Sequence, residues 1–255
     1  MSDIQAWRDF ALKLGRKAYD IAGSAKITMT QNGFSSEHLL AVALLSRTAS
    51  NLKGVIILSD HRRLIEARTL ARSCFENLYW TMALAKDGDK FVSRMEADEM
   101  KHKRQRGQAI FESQIALEAD VEDRLRAWMK DTKARWDKAE TLSPKDVSKM
   151  SSVANTYMLY GQLSADAHPS VTALNRYVES DQNDEIIGLV IEPDVTDDEI
   201  VDTLHLGCLA ALGVCTGANE ILGGTTGGAR LGNISDDMTA LTAQTRPGYK
   251  PPTQV

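Results

Sequence analysis

Apolar residues recur at three- and four-residue intervals along most of the chain, the signature of helices buried on one face. Residues 3–22 carry Ile4, Trp7, Ala11, Leu14 and Ala18 in that rhythm, and Gly23 follows as a stop. After a polar connection containing Asn32-Gly33, Ser35 or Ser36 can cap a second helix, HLLAVALLSRTASNLKGVIIL, which is apolar around most of its circumference and so belongs at the centre. A third, DHRRLIEARTLARSCFENLYWTMAL, places Leu64, Ala67, Ala71, Phe75, Leu78 and Met82 on one face and His61, Arg68, Arg72 and Tyr79 on its shoulder, with Glu76 one turn beyond Arg72. It ends at the Asp87-Gly88-Asp89 turn signal.

The pattern then changes. Phe91 to Ala139 is dense in both charges, with Glu99 four residues ahead of Lys103, and reads as two solvated helices broken around Ala119-Asp120. Met150 to Ala167 is again helical until Pro169 stops it. Thr172–Val178 and Ile186–Ile191 flank the polar run ESDQNDE and admit a short two-stranded ribbon. Thr196 with Glu199 is a capping box that opens a helix running to about Leu222, apolar nearly all round between Leu206 and Val214. On its polar arc lie Asp202 and His205. The expected fold is therefore all-α: a bundle of about six to eight helices, one domain over residues 1–222, followed by a Gly- and Pro-rich tail, 223–255, with one short helix at Ser235–Ala243.

Composition narrows the function. The 43% hydrophobic and 25% charged residues are those of an ordinary globular protein, and a net charge of −5 supplies no basic field for duplex DNA or an anionic membrane. The Lys101–Arg106 run has acids close before it and no aromatic within it, so it reads as a solvated face. The apolar runs look too interrupted to span a bilayer and no leader pattern opens the chain, which makes the cytoplasm the expected location. GGTTGGARLGN follows a helix and lacks the Lys-Ser or Lys-Thr of a phosphate loop. Cys74, Cys208 and Cys215 sit in apolar helical contexts and read as buried thiols.

The chemistry concentrates in two stripes. Tyr157, Tyr160, Ser164 and His168 are spaced three, four and four, so they return to one helical face turned inward or toward a cleft. Set against Arg68, Arg72 and Glu76, they would line a polar pocket for a small anionic or nucleotide-like ligand. The bland alternative is that the two stripes satisfy each other and set helix register. A metal reading comes from Glu99-x-x-His102 and Asp202-x-x-His205, the carboxylate-histidine interval of di-iron bundles. Iron or manganese would enter only there; no cofactor is otherwise expected, and chance spacing in a charged chain explains the pattern better.

The segments ARSCFENLYW and YGQLSADAHPS together resemble a bacterial all-helical family catalogued as domain of unknown function 5677. The resemblance covers roughly residues 35 to 222 and implies a helical bundle without an assigned activity. By it, Arg72, Glu76, Tyr160, Ser164 and His168 match the family pattern. A more distant similarity is to HEPN domains, helical modules that include RNA-cleaving toxins and antiphage effectors, whose signature is an arginine four to six residues ahead of a histidine. None of His38, His61, His102, His168 and His205 has such an arginine, though Arg72 and His168 on separate helices could imitate one. The reading carried forward is a ligand-binding or regulatory module, able to form a homo-oligomer.

Overall fold

The structure is a computed structural model, which describes residues 2–27, 36–113, 115–183 and 185–249. The Asn32-Gly33 connection, Ser35 and the Pro-rich end lie outside them. Ten α-helices and one two-stranded ribbon are present among the described residues. Eight of the helices are long; the other two are single turns of five residues.

Helix α1 (Asp3–Ser24) starts where Ser2 accepts from the Gln5 N–H, and α2 (Glu37–Asp60) where Ser36 accepts from the Leu39 N–H, so each cap satisfies an orphan donor. Helix α3 (Leu64–Asp87) buries the predicted face, and Gly88, at φ 51°, supplies the left-handed residue that lets α4 (Asp89–Glu112) turn away at once. Helix α5 (Ala119–Trp136) returns along α4. The break between them falls before Ala119 and not across Ala119-Asp120, because Asp120 and Glu122 occupy the first turn of α5, where acids suit the helix dipole. As expected of the charge-rich stretch, α5 buries only Thr132.

Short helix α6 (Pro144–Ser148) and a 3-10 turn (Ala154–Thr156) precede α7 (Tyr157–Ala167), so the expected helix from Met150 begins seven residues later. Helix α8 (Val171–Asn175) replaces the first part of the expected ribbon, since Ser170 caps it through the Ala173 N–H. The ribbon proper pairs β1 (Val178–Ser180) with β2 (Ile186–Leu189), antiparallel and irregular between Glu179 and Ser180. Helix α9 (Asp197–Ile221) opens with the complete Thr196–Glu199 capping box, and α10 (Leu231–Thr245) closes the described chain.

The core lies where α2, α3 and α9 meet, with Leu45, Leu52, Phe75, Leu78, Leu204 and Val214 all buried. One expectation is corrected here. Helices α2 and α9, at 24 and 25 residues with mean hydropathy 1.3 and 1.5 in their most apolar windows, are long and apolar enough to cross a membrane. In the bundle 72% of the α9 window is buried against neighbouring helices, and 39% of the α2 window.

The segment after Leu222 is more than a stop. Gly223 and Gly224, at φ 72° and 84°, reverse the chain. The Gly227 N–H donates to Ser24 Oγ at 2.9 Å, and Lys17 Nζ donates to the carbonyls of Gly227 and Ala229 at 3.0 and 3.1 Å. Helix α10 is longer than the expected Ser235–Ala243 and rests on α1 and α9, burying Ile234 and Met238. Trp7 Nε1 donates to Thr245 Oγ1 at 2.9 Å and Lys13 pairs with Asp237, which ties α10 to α1 at its C-terminal end and its middle.

Candidate functional site

Arg68, Arg72 and Glu76 follow one another at four-residue steps on α3, and α7 lies across them. Tyr160 Oη accepts from Arg72 Nη2 at 2.7 Å and donates to Glu76 Oε1 at 3.1 Å, while Arg72 and Glu76 pair directly at 3.0 Å. The Arg72 guanidinium also sits 5.0 Å from the Tyr160 ring centre, a cation–π distance. Tyr157 stacks on Tyr160 at 5.4 Å, and Tyr79 meets it edge-on at 6.0 Å. Tyr79 Oη lies 3.4 Å from Thr156 Oγ1. The two predicted stripes therefore meet through Arg72, Glu76, Tyr157 and Tyr160.

Arg68 belongs to a second network. It is buried, pairs with Asp166 through Nη1 and donates from Nε to Thr203 Oγ1 at 3.3 Å. Arg176 joins in, 3.9 Å from Asp166 and 2.5 Å from Glu199. Asp166 was not among the sequence candidates; its place one helical turn from Leu163 gave no sign that a buried arginine would claim it. Ser164 is half-buried and its carbonyl accepts from the His168 N–H at 3.2 Å. His168 does not turn inward. It caps α7 in an extended conformation, φ −104° and ψ 151°, so helical spacing no longer applies to it, and it is exposed.

Burial first, then the Glu76 carboxylate, raises the Tyr160 phenol above its ordinary pKa, and burial does the same to Tyr79. Both phenols stay protonated at neutral pH and act as hydrogen-bond groups. Burial also pushes the Cys74 and Cys215 thiols up to about 12 and raises Cys208, which keeps all three from forming thiolates.

The two carboxylate-histidine pairs are engaged elsewhere. Glu99 pairs with Lys103 and Arg106 at 3.5 and 3.2 Å, and His102 lies 3.4 Å from Asp98. Asp202 holds Arg246 at 2.5 Å. His205, expected on a polar arc, is 1% exposed, because α10 and Tyr249 cover that side of α9. Among the described residues no three His, Cys, Asp or Glu side chains gather as metal ligands.

A cavity of about 520 Å³ opens between α9 and α10, with Leu209, Leu212, Met238 and Pro247 on its walls. At its polar end Arg246 Nη1 lies 2.6 Å from His205 Nδ1, and the Tyr249 ring packs edge-on to His205 at 4.6 Å. The Tyr249 hydroxyl is buried and meets no hydrogen-bond partner among the described residues. Burial, then the Arg246 charge, lowers the His205 pKa to about 3, so the imidazole is neutral and Nδ1 accepts from the guanidinium. Thr156 also lines the space, which brings the Tyr160–Tyr79 cluster up behind its wall. His205, Leu209 and Leu212 at four- and three-residue steps were a legible helical stripe, but a second helix to face them was not expected. Another cavity, of about 460 Å³, is lined by Arg62, Arg63 and Arg176, each already bound to Asp197, Glu192 or Glu199.

The match to the family described as "Family of unknown function (DUF5677)" spans residues 38–186, more than half of the chain. The chain belongs to the DUF5677 family. The DUF5677 region runs from α2 to the first residue of β2 and includes the Arg72–Glu76–Tyr160 cluster together with Arg68, Asp166 and Arg176 of the second network, whereas α1, α9 with Thr203 and Glu199, and α10 lie beyond it. No curated protein and no solved structure matches the chain.

Proposed function

We propose that this DUF5677 protein is a small-molecule-binding helical module whose ligand sits between α9 and α10. The observation that carries the reading is an apolar-walled cavity of about 520 Å³ lined at its polar end by Tyr249, whose buried hydroxyl meets no partner among the described residues. A buried hydroxyl without a partner costs about 1–3 kcal/mol, a deficit that a bound acceptor removes. The volume falls within the range that holds drug-sized ligands. Asp202 already neutralises Arg246, and His205 is uncharged, so the ligand is a neutral molecule with an apolar or aromatic body and one hydrogen-bonding head. This replaces the anionic ligand expected for the Arg72 site. There Arg72 Nη2, Glu76 and Tyr160 bond to one another, while the Arg72 Nε–H is buried without a partner among the described residues, and the cluster serves as the brace that holds α7 and Thr156 against the cavity.

Native mass spectrometry of the full chain, freshly purified, tests the reading alongside Leu212→Trp, which fills the cavity, and Tyr249→Phe. The expected result is a small non-covalent adduct on the wild type that is absent from Leu212→Trp and reduced on Tyr249→Phe. A wild type without adduct, whose melting temperature no neutral aromatic fragment raises above the response of Leu212→Trp, overturns it.

A further inference from the structure

Helices α4 and α5 form an arm whose far half has almost no core. Helix α5 buries Thr132 alone in 18 residues, and α4 buries only Gly107 beyond Val92. Phe111, Leu125 and Met129, along the seam between the two helices, are only partly buried. The root is secure, since Asp98 accepts from the Leu142 N–H at 3.0 Å and Lys101 donates to the Ala139 carbonyl at 3.1 Å. Beyond it α5 packs chiefly on α4. Helices in proteins owe most of their stability to packing, so an arm this thinly packed has room for a further surface.

Charge along the arm is banded. Lys101–Arg106 holds four cations and no acid, and Arg124–Arg135 five cations and one acid, Asp131. Between them Glu112–Asp123 holds five acids and no cation. A Cβ on Gly107 would stand 3.1 Å from Met129 Sδ and 3.5 Å from Leu125 Cδ1, so Gly107 is level with the middle of Leu125–Met129. The two cationic runs therefore flank each other halfway out, and the acids crowd the tip. In each helix cation and acid stand on opposite sides of one level. On α4, Arg104 and Glu112 lie four residues either side of Gln108. On α5, Asp123, Arg126, Lys130 and Lys133, at steps of three, four and three, share a face, with Glu118 beyond them at the tip. Neighbouring charges pair within the arm, as Glu99 does with Arg106, Asp120 with Arg124 and Asp131 with Arg135. Glu118, Asp123, Lys130 and Lys133 are exposed and form no ion pair among the described residues.

We propose that this arm is the protein's dimerisation element: two copies lay their arms face to face and antiparallel, about a twofold axis beside Gln108 and Arg126, to build a four-helix bundle. That axis sets Arg104 against Glu112 of the other copy, Lys130 against Asp123 and Lys133 against Glu118, and each pair occurs twice. Parallel arms would set tip on tip and band on band, like charge on like. Arg126, nearest its own copy, is already neutralised by Glu122 at 2.6 Å and laid 4.3 Å over the Phe111 ring. Each tip ends about level with Lys101 of the other arm, clear of the root, and the second arm covers the seam that holds Phe111, Leu125 and Met129. A second copy is favoured over a nucleic acid because a polyanion on the basic band would meet the acidic tip beside it.

Sedimentation velocity of the full chain, from low micromolar to about 100 µM, in about 50 and about 500 mM NaCl, reads the proposal. The wild type sediments as a dimer whose dissociation constant rises at least about tenfold with salt. Glu118→Lys/Asp123→Lys, at exposed positions without an ion-pair partner, keeps its helix content by circular dichroism and weakens the dimer at least as much in low salt. Gln108→Cys, beside the axis, forms a disulfide-linked dimer under mild oxidation. Lys133→Cys, on the order of 20 Å from its own copy, does not, and the native cysteines are buried. A wild type that remains monomeric at the highest concentration overturns the proposal. So does a dimer that salt and the tip lysines leave intact, a Lys133→Cys dimer linked as readily as the Gln108→Cys one, or a monomer that binds single-stranded RNA through Lys130 and Lys133.

Discussion

Arg246 Nη1 stands 2.6 Å from His205 Nδ1, joining the end of α10 to the middle of α9 across a distance of 41 residues in the chain. A guanidinium is permanently charged, so the contact is favourable only with a neutral imidazole that accepts. Asp202 on the same helix as His205 balances the charge, Trp7 and Tyr249 close over the ring, and the bonded set holds the C-terminal helix in place.

Acid should therefore loosen the protein through His205. Its pKa is lowered from 6.5 to about 3 by burial and then by Arg246. Below pH 6.5 the unfolded chain takes up a proton that the folded one refuses, so the stability this histidine protects falls as pH drops toward 3 and levels below it. The slope is about 1.4 kcal/mol per pH unit while one proton separates the states. Urea unfolding at pH 7, 6 and 5 should show a shallower decline in His205→Asn, which keeps an acceptor but cannot titrate; parallel declines would mean that His205 takes up its proton alike in the folded and unfolded states.

The glycine run before α10 should tolerate no side chain at Gly227. A Cβ there would stand 2.0 Å from the Asp20 carbonyl oxygen, and its nearest neighbours all belong to the Asp20–Ile21 backbone, not to a flexible side chain that could yield. Gly227→Ala is expected to cost about 1–3 kcal/mol and to raise hydrogen exchange across α10. Gly232→Ala, where nothing lies within 4 Å, is the control and should be neutral or slightly stabilising.

Periodicity made most of the bundle readable because a helix face depends on local spacing alone. The α3 face from Leu64 to Leu78 is buried as read, and the Thr196–Glu199 box caps α9. The meeting of Arg72 and Glu76 with Tyr160 followed from two such stripes. What spacing could not convey was coverage by elements distant in the chain. His205 looked polar-facing until α10 and Tyr249 lay over it, and Asp166, which the spacing did not single out, is claimed by Arg68 from another helix. Thr172–Val178 read as a strand, yet Ser170 supplies a helix cap that makes Val171–Asn175 a single helical turn. His168 failed for a simpler reason: Pro169 ends the helix just before it, and the rule that placed it inward stops there.

Removing the Tyr160 hydroxyl separates the bridge from the direct pair. Tyr160→Phe keeps the ring between Tyr157 and Tyr79 and leaves Arg72 and Glu76 at 3.0 Å, but deletes both hydrogen bonds of the phenol. The expected loss is about 1–2 kcal/mol in chemical denaturation. Tyr79→Phe, whose hydroxyl has only the 3.4 Å contact with Thr156, should cost clearly less. Equal losses would show that the ring positions, and not the bonds to Arg72 and Glu76, hold α7.

The sharpest test of the second network is the Arg68–Asp166 pair, whose side chains are only 9% and 10% exposed. Asp166→Ala would leave the Arg68 guanidinium buried with Thr203 Oγ1 as its one short partner, and a stranded buried charge costs about 3–5 kcal/mol. Arg176 would lose its 3.9 Å contact with Asp166 but keep Glu199, so the damage should centre on Arg68. Removing both charges with shape-filling groups, Arg68→Met with Asp166→Leu, takes away the desolvation cost together with the attraction. In a double-mutant cycle by urea unfolding, the double variant should therefore be more stable than Asp166→Ala alone. If the double variant is also clearly less stable than the wild type, the ion pair is a net source of stability and not chiefly a device that sets how α7 sits on α3.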